Sequence, residues 1–471
     1  MTGTVELPIW LVVLALVLAV LGALDRVLAP SMRWVLRRRM ERAVARLNER
    51  LQRPIQPFKL MRRQDMIVRL LYDPAVTEAI AEHAHETGVP EPVAAEEARG
   101  YAREIVPAFS TLVYFGIATR LARWLSRALY RVRIGQLDAS AISEIDPEAT
   151  VVFVMNHRSN MDYVLVTWLA ADRSALSYAV GEWARVWPLS RLIRAMGAYF
   201  IHRKGRNALY RKVLARYVQM ATAEGVTQAI FPEGGLSLDG RVGPARMGLL
   251  HYMVGGFTPG AGRDVVFMPV ALGYDRVVED RVLTEAAVTG ERRFRGRPMA
   301  IFLFILRNIW RRLTRQERRF GYAAVSFGTP VSLARFLATA EDPSTEALAD
   351  HLMAEVTRVV PVLPVPLAAA ALGETSCRRD ALIVAGEALA ARLRDAGVVL
   401  RLPKGDVAAA VEAGLSRLAR RKLVRIEGDR IVPVGKELDL LRFYAAPVRQ
   451  LLEAGAASAG IEAQEVKSEE S

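Results

Sequence analysis

The sequence predicts an α/β fold with a mostly parallel sheet and surrounding helices, flanked by helical N-terminal and C-terminal regions and preceded by one transmembrane helix. Three observations lead to this prediction. Between residues 134 and 340, short β-branched or aromatic runs alternate with helical stretches. On either side of that region, apolar residues recur at helical spacing. Near the N-terminus, an uncharged apolar run is long enough to cross a bilayer.

Composition excludes several classes of protein. The chain has 471 residues, of which 52% are hydrophobic and 24% are charged, so several domains with a sizeable core are expected. Lys and Arg outnumber Asp and Glu by 64 to 50, a net charge of +14. This excess favours an anionic partner such as phospholipid, a phosphorylated metabolite, a carrier protein or nucleic acid. The single cysteine, Cys377, excludes an internal disulfide framework and a zinc site built from several cysteines.

Residues 1–30 are predicted to be a transmembrane anchor. Residues 7–24 (LPIWLVVLALVLAVLGAL) carry no charge, and 18 helical residues nearly span the ~30 Å bilayer core. A cleavable signal peptide is the alternative, but no basic residue precedes the run and no clean cleavage site follows before Asp25 and Arg26. Residues 26–63 hold twelve Arg or Lys against two Glu. The positive-inside rule therefore predicts a single-pass protein of the inner (cytoplasmic) membrane, with the remainder of the chain in the cytoplasm.

Four further regions follow the anchor. Residues 31–133 are predicted to be a basic helical region with a break near Gly88 and Pro90. Residues 134–340 form the α/β domain, residues 341–457 a helical domain with a hairpin near Gly428, and residues 458–471 a disordered tail. The predicted strands of the α/β domain are residues 151–154, 176–180, 199–201, 228–231, 265–270 and 323–327.

The first of these strands leads directly into a helix, with His157 and Asp162 at the junction. A tight turn can bring the Asp carboxylate to one imidazole nitrogen and leave the other nitrogen to accept a proton. The spacing therefore predicts a charge-oriented general base without its own nucleophile, which would activate a substrate hydroxyl directly. A His and an Asp that only cap the helix and satisfy each other are the alternative.

Three more segments place polar residues or turns at strand ends. Residues 197–203 (GAYFIHR) end with Arg203, and Lys204 continues the basic turn. Residues 231–237 (FPEGGLS) carry two glycines, which let backbone N–H groups approach an anion closely. Residues 267–270 (FMPV) are predicted to end a strand at Pro269. Each segment alone is more typical of an ordinary turn than of a binding site.

Together and in this order, NHRSNMD, GAYFIHR, FPEGGLS and FMPVALGYDRVVE resemble the four sequence blocks of the glycerolipid acyltransferase superfamily, including its H-x-x-x-x-D block. Several details are similar to the glycerol-3-phosphate acyltransferase family within it: HRSNMDY, the double glycine, YDRVVE, and LLRFYA at residues 440–445. The resemblance covers roughly residues 100–455.

The resemblance implies an acyltransferase fold in residues 134–340 and roles for named residues. His157 is implied to be the general base and Asp162 to orient it. The residues implied to bind substrate are Arg203, Lys204, Glu233, Gly234, Gly235, Ser237, Arg241 and Pro269. Where the family shows Arg-Ser-Arg after E-G-G, this chain has Leu236, Ser237 and Leu238. Lys204, Arg241 and Arg246 are near enough in sequence to supply the missing charge.

The activity implied is transfer of a fatty acyl group from acyl-CoA or an acyl carrier protein thioester to the sn-1 hydroxyl of glycerol 3-phosphate, the first step of phospholipid synthesis. The resemblance implies no metal, no cofactor and no covalent acyl-enzyme. A basic cluster at residues 292–319, with ten Arg against one Glu around an apolar core, predicts contact with an anionic phospholipid membrane. A core helix with a solvated basic face is the alternative. No nucleic-acid motif is present, so nucleic acid is not an expected partner.

Three other functions stay open at this stage. A lysophosphatidate (1-acylglycerol-3-phosphate) acyltransferase has the same chemistry with a different acceptor. The second alternative is a membrane-associated binding protein that has kept the fold and lost catalytic turnover. A metal-dependent hydrolase would need His83, His85 or His251 to join His157, but their spacing matches no metal motif.

Overall fold

The computed structural model describes Pro8 and residues 38–39, 41–136, 139–171, 174–181, 189–201, 207–290, 319–402 and 405–469. Apart from Pro8, the predicted transmembrane run lies outside these residues, as do Arg203, Lys204 and all of the basic cluster 292–319 except Arg319. Within the described ranges, no helix is both long enough and apolar enough to cross a membrane.

The chain forms two compact units. Residues 1–54 and 172–174 make up the first, in which residues 41–48 are helical. The second unit contains residues 55–171 and 175–471 and all the elements discussed below.

An eight-stranded sheet lies at the centre of the second unit. Its strands are β1 (Arg131–Ile134), β2 (Thr150–Met155), β3 (Ser177–Val180), β4 (Tyr199–Phe200), β5 (Gln228–Ile230), β6 (Val265–Tyr274), β7 (Tyr322–Phe327) and β8 (Val331–Ser332). Their order in the sheet is β1-β7-β6-β2-β5-β3-β4, and β8 pairs with β6. Strands β6, β2, β5, β3 and β4 run parallel, whereas β7 and β8 are antiparallel to β6. All six predicted strand segments are strands, and the prediction of a mostly parallel sheet is confirmed.

The central strands are buried on both faces because helices cover the sheet. Strand β6 is buried along its whole length, and β2 nearly so, which explains their continuous apolar sequences. The helices that alternate with these strands along the chain are α6 (Ala139–Ser143), α7 (Met161–Ala170), α8 (Leu189–Ala195), α9 (Ala208–Ala223), α10 (Gly248–Val254), α11 (Asp280–Thr289) and α12 (Leu333–Thr339).

Pro269 differs from its predicted position. It does not end a strand, because β6 continues to Tyr274 and pairs with β7 beyond Pro269. β8 pairs with Val266 and Phe267, and β7 begins pairing at Val270, so Pro269 falls in the gap between these ladders. Its carbonyl accepts a hydrogen bond from the Gly328 N–H at 2.8 Å on that same side. Pro269 therefore lies at the end of the β7 ladder, where the missing proline N–H leaves the interior of both ladders intact.

Helices precede the sheet, as predicted. They are α1 (Pro57–Leu60), α2 (Arg63–Leu71), α3 (Pro74–Thr87), α4 (Glu91–Ile105), a π-helix (Leu112–Ala118) and α5 (Thr119–Leu129). The Asp73 side chain accepts from the Ala75 N–H and caps α3, and Gly88 ends it with φ of 72°. The predicted break at Gly88 and Pro90 is therefore a left-handed helix end followed by the start of α4.

The C-terminal region is helical with a small three-stranded sheet. Its elements are α13 (Thr345–Arg358), α14 (Pro364–Leu372), β9 (Cys377–Arg378), α15 (Arg379–Asp395), α16 (Val407–Arg420), β10 (Val424–Glu427), β11 (Arg430–Pro433) and α17 (Leu438–Glu469). The predicted hairpin is β10–β11, and Gly428 supplies the left-handed turn residue with φ of 63°. The sequence favours a disordered tail after residue 457, but α17 runs to Glu469, in keeping with the Ala and Glu content of this segment.

Helices α14 and α16 approach each other closely at Gly414. A Cβ atom there would lie 2.1 Å from the Pro364 carbonyl oxygen and 2.7 Å from the Ala368 Cβ. We expect Gly414→Ala to lower the free energy of unfolding by roughly 1–3 kcal/mol through overpacking. Gly100→Ala in α4 is the matched control, because nothing lies within 4 Å of its Cβ position, and it should stabilise by about 0.5–1 kcal/mol. Urea denaturation of both variants measures this, and equal effects would contradict the close packing.

Candidate active site

The register of the sheet brings two of the predicted segments to the same level. Val154 of β2 pairs with Ile230 of β5. His157 and Glu233 each follow three residues later, at the carboxyl ends of adjacent parallel strands. This edge of an open α/β sheet, where the connections diverge, is the usual position of a ligand site.

The turn after β2 forms a buried His-Asp pair. The Nδ1 atom of His157 lies 2.9 Å from Oδ2 of Asp162, and both side chains are buried. Because a carboxylate accepts, Nδ1 donates, which leaves Nε2 as the nitrogen able to take a proton. No hydrogen bond from a described residue reaches Nε2. The predicted orientation of the base is therefore present.

Asp162 accepts four hydrogen bonds. Its Oδ2 atom accepts from His157 and from the backbone N–H groups of Arg158 and Ser159, at 2.7 and 2.9 Å. Its Oδ1 atom accepts from the Tyr274 hydroxyl at 2.7 Å. Asp162 is also in the first turn of α7, where the helix dipole favours a negative charge.

Tyr274 ends β6, next to β2 in the sheet. Burial, together with the charge of Asp162, raises the pKa of Tyr274 well above its usual value. The phenol therefore keeps its proton and acts only as a donor to Asp162.

A second buried carboxylate supports the outer part of the turn. Oε2 of Glu279 accepts from the Ser159 hydroxyl at 2.7 Å, and Oε1 accepts from the Asn160 amide at 3.1 Å. Burial raises the pKa of Glu279. The Ser159 hydroxyl is thus held by Glu279 and serves the structure of the turn.

Glu233 links the turns after β2 and β5. Its Oε1 accepts from the His157 backbone N–H at 2.8 Å, and its Oε2 from the Gly243 N–H at 3.2 Å. The Ser237 N–H donates to the His157 carbonyl at 2.9 Å and adds a second link between these turns. Burial raises the pKa of Glu233 to about 7. Glu233 thus fixes the backbone that carries the His157 ring.

Aromatic rings enclose the imidazole. Phe231 stacks on His157 with ring centroids 4.2 Å apart, and Tyr163 meets it edge-on at 5.4 Å. Tyr163 and Phe231 also contact each other at 5.0 Å. These contacts restrict rotation of the ring and exclude water from two of its sides.

The double glycine lies next to Arg246. Gly234 has φ of 67°, a left-handed conformation that favours glycine, and a Cβ there would lie 2.7 Å from Cδ of Arg246. Gly235 follows, half-buried. Arg246 is exposed, and its N–H donates to the Pro232 carbonyl at 2.8 Å. Leu236 and Leu238, at the positions where arginines were expected, pack partly buried against the core.

Two predicted substrate-binding side chains have partners inside the protein. The Ser237 hydroxyl donates to the Arg241 carbonyl at 2.7 Å and accepts from the Gly240 N–H at 3.1 Å, so it closes its own turn. The Arg241 guanidinium forms a two-point ion pair with Glu453 of α17. The hydroxyl of Ser237 and the charge of Arg241 are therefore already paired with other groups of the protein.

The remaining candidate residues are Pro269, Arg203, Lys204 and the histidines weighed for a metal site. Pro269 is buried inside β6, level with Val154, and Arg203 and Lys204 lie outside the described residues. The histidines weighed for a metal site lie on other elements, and His83 pairs with Glu97 at 3.1 Å. Over the ranges that the structure describes, no group of three or more His, Cys, Asp or Glu is arranged to hold a metal ion.

Sequence reasoning missed several residues of the site. Tyr274 and Glu279 are in the YDRVVE segment, and Phe443 and Tyr444 are in LLRFYA. The buried Arg158 guanidinium lies 4.9 Å from the centre of the Phe443 ring and donates to the Gly240 carbonyl. The sequence analysis names both segments as similar to the family but assigns no role to their residues. The signal that could have identified them is a polar residue within an otherwise apolar strand or helix.

The geometry supports general-base chemistry. A buried imidazole, oriented by a fully hydrogen-bonded carboxylate, presents one free nitrogen at a sheet edge. Such a group can remove a proton from a hydroxyl and later return it to a leaving group.

Two family profiles match separate parts of the chain. The family profile described as Acyltransferase matches residues 137–273, and the profile described as Glycerol-3-phosphate acyltransferase C-terminal region matches residues 306–429. A "Glycerol-3-phosphate acyltransferase" of Shewanella amazonensis is 31% identical over 299 residues, which is 62% of this chain and 36% of that protein. The protein of the same name from Alteromonas mediterranea is 28% identical over 284 residues, 59% of this chain and 33% of its own length.

The chain thus spans about a third of the length of these curated relatives. Among solved structures, the 1-acyl-sn-glycerophosphate (LPA) acyltransferase PlsC from Thermotoga maritima aligns with a TM-score of 0.30 and 18% identity. That alignment covers 52% of this chain and 76% of that chain.

The raised pKa of Glu233 predicts a pH dependence of stability. Its folded-state pKa of about 7 exceeds the usual 4.5, so the folded protein binds this proton more tightly than the unfolded chain does. Stability from this group is therefore full below about pH 4.5 and falls as the pH rises to about 7, by at most about 3 kcal/mol.

We expect Glu233→Gln to remove that part of the decline between pH 4.5 and 7. Chemical denaturation at a series of pH values measures it. The exposed Glu285→Gln serves as the control and should keep the wild-type profile. Identical profiles for both variants would contradict the burial of Glu233.

Proposed function

Because the chain belongs to the glycerol-3-phosphate acyltransferase family, we propose that it transfers a fatty acyl group from a thioester donor to the sn-1 hydroxyl of glycerol 3-phosphate. The observation that carries the proposal is the buried His157–Asp162 pair. It lies inside the segment that matches acyltransferases, and the family-specific C-terminal match follows it in the same chain.

The proposed reaction is direct acyl transfer. Nε2 of His157 takes the proton of the sn-1 hydroxyl while that oxygen attacks the thioester carbonyl carbon. When the tetrahedral intermediate collapses, the C–S bond breaks and the imidazolium returns the proton to the departing thiolate. Asp162 stabilises the imidazolium, and Tyr274 holds Asp162 in place. The products are 1-acylglycerol 3-phosphate and the free thiol of coenzyme A or acyl carrier protein.

The acceptor phosphate needs cations outside the buried site. Arg203 and Lys204 are assigned by resemblance. Among the described residues, Arg246 is the best-placed addition, because it is exposed and its side chain lies against Gly234. Arg241 is a weaker candidate because Glu453 neutralises it. Arg246 therefore replaces Arg241 in the proposed phosphate site.

The proposed location is the inner membrane, with the catalytic domain on the cytoplasmic side. The uncharged run at residues 7–24 and the basic residues that follow it support this. This location also suits a product that carries one acyl chain.

Lysophosphatidate is the second candidate acceptor. Leu236 and Leu238, apolar and half-buried beside the double glycine, favour a larger and less polar acceptor than glycerol 3-phosphate. The match to the glycerol-3-phosphate acyltransferase C-terminal region favours the smaller acceptor. Purified protein given labelled glycerol 3-phosphate and a long-chain acyl donor should form labelled lysophosphatidate. Product formed only from an acceptor that is already acylated would transfer the assignment to the second candidate.

Substitutions of His157 and of the residues that support it should lower kcat by different amounts. His157→Ala should lower kcat by roughly 10²- to 10⁴-fold, and Asp162→Asn should be severely impaired because the charge that supports the imidazolium is lost. Tyr274→Phe removes one hydrogen bond to a buried charge and should cost about 10-fold in kcat with KM for the acceptor unchanged. Steady-state kinetics with circular dichroism as a folding control measure the series. Near-normal turnover without His157 would exclude the mechanism.

The phosphate site can be tested with a matched pair of arginines. Arg246→Ala should raise the acceptor KM about 10-fold with little change in kcat, as should Arg203→Ala, because a charge-assisted contact is lost equally in ground and transition states. Arg241→Ala removes the same charge but only breaks the pair with Glu453, so its KM should stay near that of wild type. A rise in the acceptor KM with Arg241→Ala alone would show that Arg241, and not Arg246, binds the phosphate.

A further inference from the structure

The loop between β5 and α10 is attached to the C-terminal helix α17. Residues 237–246, called the Gly240 loop, contain no helix or strand. Arg246 ends this loop, and its side chain lies against Gly234 at the rim of the candidate site. The position of that cation therefore depends on what fixes the loop.

Gln450 of α17 binds the middle of the Gly240 loop at two points. Its Oε1 atom accepts from the Val242 N–H at 2.8 Å, and its Nε2 atom donates to the Val242 carbonyl at 2.9 Å. A carboxamide is the uncharged side-chain group that offers a donor and an acceptor side by side. Gln450 thus satisfies both backbone groups of a residue that belongs to no strand.

A second contact lies on the same face of α17. Pro447 is inside the helix and has no N–H to donate to the carbonyl of Phe443, four residues earlier. Gly240 packs directly on that carbonyl oxygen, because a Cβ atom at Gly240 would overlap it. Phe443 and Gln450 are seven residues apart, which is two helical turns, so one face of α17 makes both contacts.

The other side of the Gly240 loop contacts the turns that carry the catalytic pair. The Arg158 guanidinium donates to the Gly240 carbonyl, and the Gly243 N–H donates to Oε2 of Glu233 at 3.2 Å. Arg158 directly follows His157 in the chain. The four loop residues from Gly240 to Gly243 therefore join α17 to the catalytic turn.

The ion pair between Arg241 and Glu453 adds little to this attachment. Arg241 is 39% exposed and Glu453 58%, and water screens an ion pair with that exposure. Gln450 is half-buried and binds backbone groups of the loop. Of the two side chains on α17, Gln450 is therefore the one whose removal should free the loop.

We propose that Gln450 is a positioning residue for the acceptor site, an inference that rests on the proposed function. Its two bonds to Val242 fix the Gly240 loop, and the loop fixes Arg246 at the rim. Without those bonds, the acceptor phosphate would have to order the loop on binding, which lowers affinity. Asp162 orients His157 through contacts that do not involve α17, so the effect should fall on acceptor binding and not on proton transfer.

The substitution Gln450→Met tests this role in the full chain, because methionine keeps the length and helix propensity of glutamine but forms neither bond. Steady-state kinetics should show an acceptor KM raised about 10-fold, with kcat and the KM for the acyl donor within about 2-fold of wild type. Hydrogen exchange with mass spectrometry should show faster exchange in residues 237–246 and unchanged exchange in the β10–β11 hairpin.

Glu453→Gln is the matched control. It lies one turn further along the same helix face and breaks the exposed ion pair with Arg241. Exchange of the Gly240 loop and the acceptor KM should both stay near wild type in this variant.

Three results for Gln450→Met would overturn the proposal. They are unchanged exchange in the Gly240 loop, faster exchange that extends to the β10–β11 hairpin, and an unchanged acceptor KM. The exchange measurement needs no acyl transfer, so an inactive wild-type protein would contradict the proposed function and leave the attachment of the loop to be decided by exchange.

Discussion

The carboxylate of Asp162 is the interaction on which the rest of the site depends. A fully buried charge is costly unless donors surround it, and Asp162 receives four hydrogen bonds. Two come from the turn after β2, one from the imidazole and one from Tyr274 in the neighbouring strand. The turn, the ring and β6 must therefore be correctly placed at the same time. The charge that stabilises the imidazolium also specifies the local fold.

Buried carboxylates also join the end of β6 to the C-terminal region. Asp275, next to Tyr274, accepts from the Tyr322 N–H of β7 at 2.8 Å and from the Val365 N–H of α14 at 2.9 Å. The Tyr444 hydroxyl of α17 accepts from the Val277 N–H at 3.1 Å and donates to Asp280. The segment from Tyr274 to Asp280 thus contacts the catalytic turn on one side and the C-terminal helices on the other. The C-terminal helices are therefore joined to the central sheet through buried carboxylates.

The features that could be predicted from the sequence are those that depend on a local pattern of residues. Continuous apolar runs predicted the strands, and the spacing of His157 and Asp162 predicted their contact, because a tight turn between a strand and a helix leaves few alternatives. Tyr274 was not predictable in the same way, since its contact with Asp162 depends on which strands are neighbours in the sheet. Pro269 was predicted to end a strand, but it lies in a gap between the β7 and β8 ladders, which is a tertiary feature. The partner of Arg241, Glu453, is 212 residues away.

Charge explains why the proposed acceptor site needs two parts. Asp162 and Glu279 are buried and Glu233 is half-buried around His157, with Arg158 as the nearby buried cation, so the interior of the site does not favour a phosphate dianion. The phosphate must then bind at the rim, where Arg246 is exposed beside Gly234. In glycerol 3-phosphate, the sn-1 hydroxyl and the phosphate are at opposite ends of a three-carbon chain. A buried base with cations at the rim suits that separation, because the polar end stays near water while the hydroxyl reaches Nε2.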